Sequence, residues 1–398
     1  MTMPLRLLML LSCPLLTAPV FTDSTADRNH ISAEATAQTE KTMAIPNLAG
    51  KVLTVLGPVD PSVIGPALMH EHIFIDFQSP GPARQMRFAS VEDSLAWEAP
   101  ISISNMNRVR YGRGVRGGSF LGDFDEMYDE VMEFRKRGGQ TIVDVSNIGL
   151  GRDPDALVRM SHATGMSIVM GSSWYIKQYH PLDMSERNIE ELTDVIVRDV
   201  TVGAQGTGIR SGIIGEIGID GGPLTPNEMK VIRASARASR ITGAPMSFHA
   251  GGVNEERLVS IDASLAEGVR PEQIIMGHAG ALTPNMPLIR KMLAKGVYLQ
   301  IDWLGVIEGP AGIMGNRSDR TIASAIVELV REGYGNRILL SHDICTRAQL
   351  RKYGGTGFAY VTEYFVPELR RQGLSKEEIH MITVDNPQHA LTFVEPRP

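Results

Sequence analysis

Cysteine is nearly absent: the 398 residues contain two, Cys13 and Cys345. That excludes a scaffold stapled by disulfides. Basic charge is not in surplus either. Lys and Arg total 39 against 45 Asp and Glu, a formal net charge of −6. With no dominant basic stripe, the composition argues against nucleic acid as a partner. A run able to span a bilayer is also missing. The Leu-rich stretch Leu7 to Val20 is broken by Pro14 and Pro19 and falls short of the ~20 apolar residues a spanning helix needs, so no stable membrane insertion is expected. What remains is 43% hydrophobic and 21% charged, a globular composition that excludes intrinsic disorder. Length alone suggests two or three domains at about 150 residues each, although α/β barrels of roughly 250 residues form one.

Residues 1–45 differ from the rest. Arg6 precedes the Leu-rich run, and a polar stretch from Thr22 to Thr42 follows with small residues at Ser24–Ala26 and Ala35–Ala37. This is the order of a secretory signal peptide. It predicts a leader, export to the periplasm or beyond, and one barrel over residues 46–398. The competing expectation is a start at Met43, which keeps the protein in the cytoplasm. Cys13 stands too close to Arg6 for a lipid anchor, and without the leader Cys345 is the sole thiol.

From Asn47 onward, apolar runs of strand length alternate with amphipathic stretches. Strands are expected at Ala67 to Asp76, Thr141 to Asn147, Met166 to Tyr175, Gly212 to Asp220, Pro245 to Ala250, Gln273 to His278, Val297 to Trp303 and Arg337 to Ile344. Between them, Pro226 to Ile241 follows a capping box at Thr225 and Glu228, and Ser185 to Val200 carries a helical stripe. Eight nearly all-apolar strands alternating with helices predict a parallel sheet closed into a distorted (β/α)8 barrel, with an open doubly wound sheet as the alternative. One connection breaks the rhythm. Gln78 to Gly122 reads as irregular and holds Arg84, Arg87, Arg108, Arg110, Arg113 and Arg116. It is either a wall offering an Arg to an anionic substrate group or a solvated loop.

Five of the ten His fall in the strands; His342 is expected to face the other way as a structural residue, and the other four are candidate ligands. In LMHEHIFIDF, Leu68 to Phe77, His70 and His72 stand two apart, so alternation puts both imidazoles on one face and Glu71 on the other. His249 lies near the end of the fifth strand and His278 at the end of the sixth. Glu216 interrupts the apolar fourth strand, and Asp343 closes the eighth. Singly, a strand His is more often a core residue and a buried Glu a salt-bridge partner. Together the six sit on strands one, four, five, six and eight, directed at the C-terminal mouth where barrel enzymes place their sites. Neutral imidazoles with carboxylates suit zinc, and also iron, manganese or cobalt.

These residues resemble the metal pattern of the amidohydrolase superfamily: HxH on strand one, a bridging carboxylate on four, His on five and six, Asp on eight. With TVLGPV at Thr54–Val59, GEIG around Glu216, KYGGTGF at Lys352–Phe358 and VDNPQHALTF at Val384–Phe393, the chain is similar to the phosphotriesterase-related proteins. The resemblance implies two divalent metal ions, zinc first among them. His70, His72 and Asp343 would hold one and His249 and His278 the other, with Glu216 and a hydroxide bridging both. It implies a hydrolase whose hydroxide attacks a carboxylic ester, lactone or amide of a small-molecule substrate, the alternative being a phosphotriester. Asp343 would accept the proton. Tyr175 matches a tyrosine that in relatives lies near the second metal, as oxyanion donor or pocket wall. Relatives often pair, so a homodimer is one assembly the resemblance allows.

Departures from the pattern bear on the substrate. Glu216 stands where phosphotriesterases proper and lactonases carry a carboxylated lysine. Gly280 and Ala281 replace acidic residues that relay protons in true phosphotriesterases, which weakens an organophosphate assignment. Trp303 and Leu304 replace the arginine–tyrosine pair of lactonases, and Trp303 is expected to pack on the substrate or in the core. A non-catalytic ligand-binding metalloprotein is the contrary reading, but such a protein has no need of a bridging carboxylate plus a proton-accepting Asp.

Overall fold

The computed structural model describes residues 45–77, 90–111, 114–251, 254–306 and 318–397. The expected leader up to residue 44, including Cys13, and Arg84, Arg87 and Arg113 lie outside the described residues.

Each of the eight apolar runs holds a strand, shorter than the run itself: Ala67–Glu71, Thr141–Asp144, Ser167–Met170, Ile214–Ile219, Met246–Ala250, Ile274–Met276, Tyr298–Ile301 and Ile338–Leu340. The first three form one parallel ladder and the last five another. Two seams join the ladders. Between the third and fourth strands, the Gly212 N–H donates to the Met170 carbonyl at 2.9 Å and the Gly218 N–H to the Trp174 carbonyl at 3.1 Å. Between the eighth and first, the Asp343 N–H donates to the His70 carbonyl at 3.1 Å, and the His70 N–H donates to Ser341 Oγ at 2.9 Å. The chain is a (β/α)8 barrel, distorted where these scattered bonds replace a regular ladder. A hairpin of Val52–Thr54 with Gly57–Val59 precedes it, tied to the third strand by the Val55 N–H on the Ile168 carbonyl at 2.9 Å.

Caps written in the sequence start the helices. Thr225 accepts from the Glu228 N–H while Glu228 accepts from the Thr225 N–H, opening Pro226–Thr242. The helix expected from Ser185 begins instead at Ile189. Leu182–Ser185 winds as a 3-10 turn, and Asn188 with Glu191 makes the capping box. Leu192, Ile196 and Val200 of that helix are buried, each stabilising by roughly 1.5–3 kcal/mol.

The first connection corrects two expectations. The run Ala67 to Asp76 is not one strand: it stops at Glu71, and Ile75–Asp76 pairs antiparallel with Phe120–Leu121. Where described, Gln78 to Gly122 is not irregular, because helices form at Val91–Trp97 and Met106–Arg110, the first capped by Ser90 on the Asp93 N–H. Arg108 pairs with Asp93 at 3.0 Å and Arg116 with Glu98 at 2.9 Å, while Arg110 donates to the Tyr353 carbonyl at 2.9 Å. These three cations bind the connection to itself and to the barrel. Among the described residues no helix is long and apolar enough to cross a membrane.

Candidate metal centre

Glycine beside the site answers to close approach, not to turning. A Cβ on Gly218 would stand 2.1 Å from the Tyr175 carbonyl carbon, and one on Gly277 2.1 Å from the Phe248 carbonyl oxygen. Neither residue has a positive φ. Strands packed this tightly bring their end residues to one mouth.

All six expected ligands meet there. Glu216 Oε1 lies 3.3 Å from His72 Nε2, and its Oε2 lies 3.2 Å from His70 Nε2 and 3.1 Å from His249 Nδ1. Asp343 Oδ1 lies 3.3 Å from His72 Nε2 and 3.9 Å from His70 Nε2. His278 Nε2 stands 2.7 Å from His249 Nδ1. Three sets of side chains place their donor atoms within 4.8 Å of one another: His70, His72 and Glu216; His70, His278 and Asp343; and Glu216, His249 and His278.

The outer nitrogens of three imidazoles are held so that the inner ones face the cluster. Ser146 Oγ donates its proton to the Phe74 carbonyl at 2.8 Å, so it accepts from His72 Nδ1 at 3.0 Å and leaves Nε2 with a lone pair. Asp302 Oδ1 accepts from His278 Nδ1 at 2.9 Å, again leaving Nε2. Tyr175 Oη lies 3.3 Å from His249 Nε2, while His249 Nδ1 faces the cluster, 3.1 Å from Glu216 Oε2. Such outer partners orient the rings of metal-binding histidines.

The donor set fits the two cations that the resemblance implies. Imidazole nitrogen and carboxylate oxygen suit zinc and its neighbours. His70 is fully buried, and among the described residues its ring nitrogens make no hydrogen bond of good geometry, Nε2 facing the Glu216 carboxylate at 3.2 Å, an arrangement that a cation at Nε2 would satisfy. Charge agrees. Burial works to raise Glu216 and Asp343, yet the surrounding imidazoles hold both well below the usual carboxylate range. Burial likewise works to lower His70 and His72, but Glu216 and Asp343 outweigh it and raise them to about 9 and about 10. His249 is lowered by burial and by neighbouring His278. Protons on His70 and His72 and bound cations are thus competing ways to neutralise one anionic pocket.

Around the cluster, Tyr175, Tyr179 and Phe77 form an aromatic wall with ring centroids 5.2–6.0 Å apart. Burial first, then Glu216 and Asp343, push the Tyr175 phenol well above its usual range, so it stays protonated. His180, buried, supports it through Nε2 on the Tyr175 carbonyl at 2.9 Å. His342 faces away, with Nδ1 2.7 Å from Glu71 and Nε2 accepting from the Val361 N–H at 3.0 Å. Burial raises the Cys345 thiol well above its usual range, which leaves it an inert neighbour.

Sequence reasoning missed three residues. Asp302 and Ser146 steer His278 and His72. Arg257, fully buried, donates to the carbonyls of Ala250 and Gly277 and so pins the ends of the strands that carry His249 and His278. Asp302 had a signal, since it closes an apolar strand as Asp343 does; Ser146 and Arg257 had none.

A closed ring of eight parallel strands with imidazoles and carboxylates converging at its carboxyl-end mouth defines a phosphotriesterase-like barrel protein. More particularly, the chain belongs to the phosphotriesterase family, whose family model matches residues 50–391. It is 34% identical over 356 residues to the N-acetyltaurine hydrolase of Tetraodon nigroviridis, covering 87% of this chain and 99% of that one. It is equally 34% identical, over 359 residues and with the same coverage of both chains, to the phosphotriesterase-related protein of Nematostella vectensis. Among solved structures, a resiniferatoxin-binding protein from Rhodobacter sphaeroides superimposes with a TM-score of 0.80 at 33% identity, over 87% of this chain and 96% of that one. The phosphotriesterase homology protein of Escherichia coli, with phosphate in its active site, gives 0.70 at 26%, over 84% and 100%.

Proposed function

We propose that this protein is a metal-dependent hydrolase of N-acyl amides, with carboxylic esters and lactones as neighbouring substrates. The observation that carries the reading is the convergence of four imidazoles on two carboxylates, with outer partners turning His72, His249 and His278 inward. The names of the relatives add the amide bond, since several are N-acetyltaurine hydrolases. His70, His72 and Asp343 would hold one cation, His249 and His278 a second, and Glu216 both. Two divalent cations there supply Lewis-acid activation of water and of the scissile carbonyl. The residues supply the rest. Asp343 accepts a proton from the attacking water as the C–O bond forms and returns it to the leaving nitrogen as the C–N bond breaks. With a cation on His249 Nδ1, the His249 Nε2–H would donate to Tyr175 Oη, which leaves the Tyr175 O–H to donate to the developing oxyanion. The wall of Phe77 and Tyr179 receives the apolar part of the substrate.

The test is metal analysis followed by turnover of three panels: N-acyl amino acids and N-acyl taurines, lactones, and paraoxon-like phosphotriesters. Two equivalents of metal with amide turnover supports the proposal. Turnover of phosphotriesters alone moves it to the alternative hydrolase. A fully metallated protein inert to all three panels favours a ligand-binding role, the reading that the resiniferatoxin-binding neighbour suggests.

A further inference from the structure

His278, Trp303 and Asp343 follow the ends of three consecutive strands, Ile274–Met276, Tyr298–Ile301 and Ile338–Leu340. All three adopt a left-handed backbone, with φ of 53°, 61° and 59°. Such a conformation is strained for residues other than glycine and concentrates at functional sites. Two of the three are candidate ligands. Trp303 thus occupies, on the intervening strand, the backbone position from which its neighbours aim their side chains into the mouth.

Trp303 touches both of them. Its Nε1–H donates to Asp343 Oδ2 at 2.6 Å, and its ring stacks on His278 with centroids 4.5 Å apart and planes 21° apart. An indole N–H is a donor only, so Asp343 must be the acceptor. With Oδ2 engaged, Oδ1 is the oxygen turned toward His72 and His70. Asp302, the preceding residue, accepts from both the backbone N–H and Nδ1 of His278. One dipeptide therefore grips candidate ligands from the strands on either side.

We propose that Trp303 is a positioning residue, which reserves Asp343 Oδ1 for a cation by occupying Oδ2 and braces the His278 ring. The proposal rests on the metal-hydrolase reading. Its test is Trp303→Phe, which keeps a stacking ring and removes the N–H, in the full chain loaded with Co(II). The freed Oδ2 then joins the coordination, so visible absorption per cobalt loses intensity. Turnover of an accepted amide falls about ten- to a hundredfold in kcat, with KM within about twofold. A Trp303→Phe protein with wild-type cobalt absorption and wild-type kcat overturns the proposal, as does a raised KM with kcat retained. A second measurement needs neither metal nor that variant to fold. With only three Trp in the chain, Asp343→Asn in metal-free protein shifts the tryptophan emission, and unchanged emission overturns the contact. Wild-type protein that takes up no cobalt defeats the metal reading instead, and emission still decides the contact.

Discussion

Glu71 Oε1 lies 2.7 Å from His342 Nδ1, although the two residues stand 271 positions apart in the chain. The same carboxylate accepts from Ser341 Oγ at 2.7 Å, from the His342 N–H at 2.8 Å and from the Ile344 N–H at 2.9 Å. It closes the barrel where the first and eighth strands lack a regular ladder, and it is flanked by the candidate ligands His70, His72 and Asp343. Glu71→Gln turns one acceptor oxygen into a donor among donors. It should lower stability by roughly 1–3 kcal/mol per buried group left unsatisfied. Chemical denaturation at fixed metal load checks this, and an unmoved midpoint would show that the seam does not depend on the carboxylate.

Asp343→Asn tests the proton acceptor. The amide oxygen can still face a cation, but the side chain no longer takes a proton at neutral pH. Turnover should drop by about 10²–10⁴-fold with metal content retained. Unchanged activity with full metal content sinks the general-base role.

Tyr175→Phe removes one O–H and keeps the ring in the aromatic wall. As an oxyanion donor, Tyr175 should cost about 10²-fold or more in kcat when truncated, with metal content unaltered. A change confined to KM would make it a wall residue only.

Much of this site was legible because strand alternation is strict. His70 and His72, two apart, could only share a face, with Glu71 on the other. A lone carboxylate inside an apolar run marked Glu216, and polar residues at the ends of runs marked His278 and Asp343. The runs overstated the strands for a physical reason. At His278, Trp303 and Asp343 the backbone turns left-handed outside the ladder, a turn that no glycine at those positions marks. The Trp303–Asp343 contact and the Ser146–His72 contact span 40 and 74 residues, and no local pattern encodes a neighbour at that distance. The helix at Val91–Trp97 is different. Ser90 caps it on the Asp93 N–H, a local signal three residues apart inside a stretch that otherwise lacks a helical stripe.

Asp302 provides a test of that missed layer. Its Oδ1 holds the Nδ1–H of His278 and so keeps Nε2 unprotonated. Asp302→Asn presents either a neutral acceptor or an amide N–H, and the latter selects the wrong tautomer. Metal retention should weaken about ten- to a hundredfold, read as residual metal after dialysis against graded chelator. Wild-type retention would show that His278 needs no such partner.

The cluster also predicts how metal alters the pH dependence of stability. In the metal-free protein the carboxylates outweigh burial and raise His70 to about 9 and His72 to about 10, whereas an unfolded histidine titrates near about 6.5. A raised folded-state pKa adds stability that is complete below the unfolded value and is lost as pH rises through the folded one. Metal-free protein should therefore melt at progressively lower temperature from about pH 6.5 toward pH 10. Cations on the unprotonated rings would take over the neutralisation of Glu216 and Asp343, so the loaded protein should keep a flatter profile over the same interval. Thermal melts with chelator and with cobalt, taken at matched pH, decide it. Parallel profiles would mean that protons and cations do not compete for His70 and His72, and the candidate centre would lose its electrostatic basis.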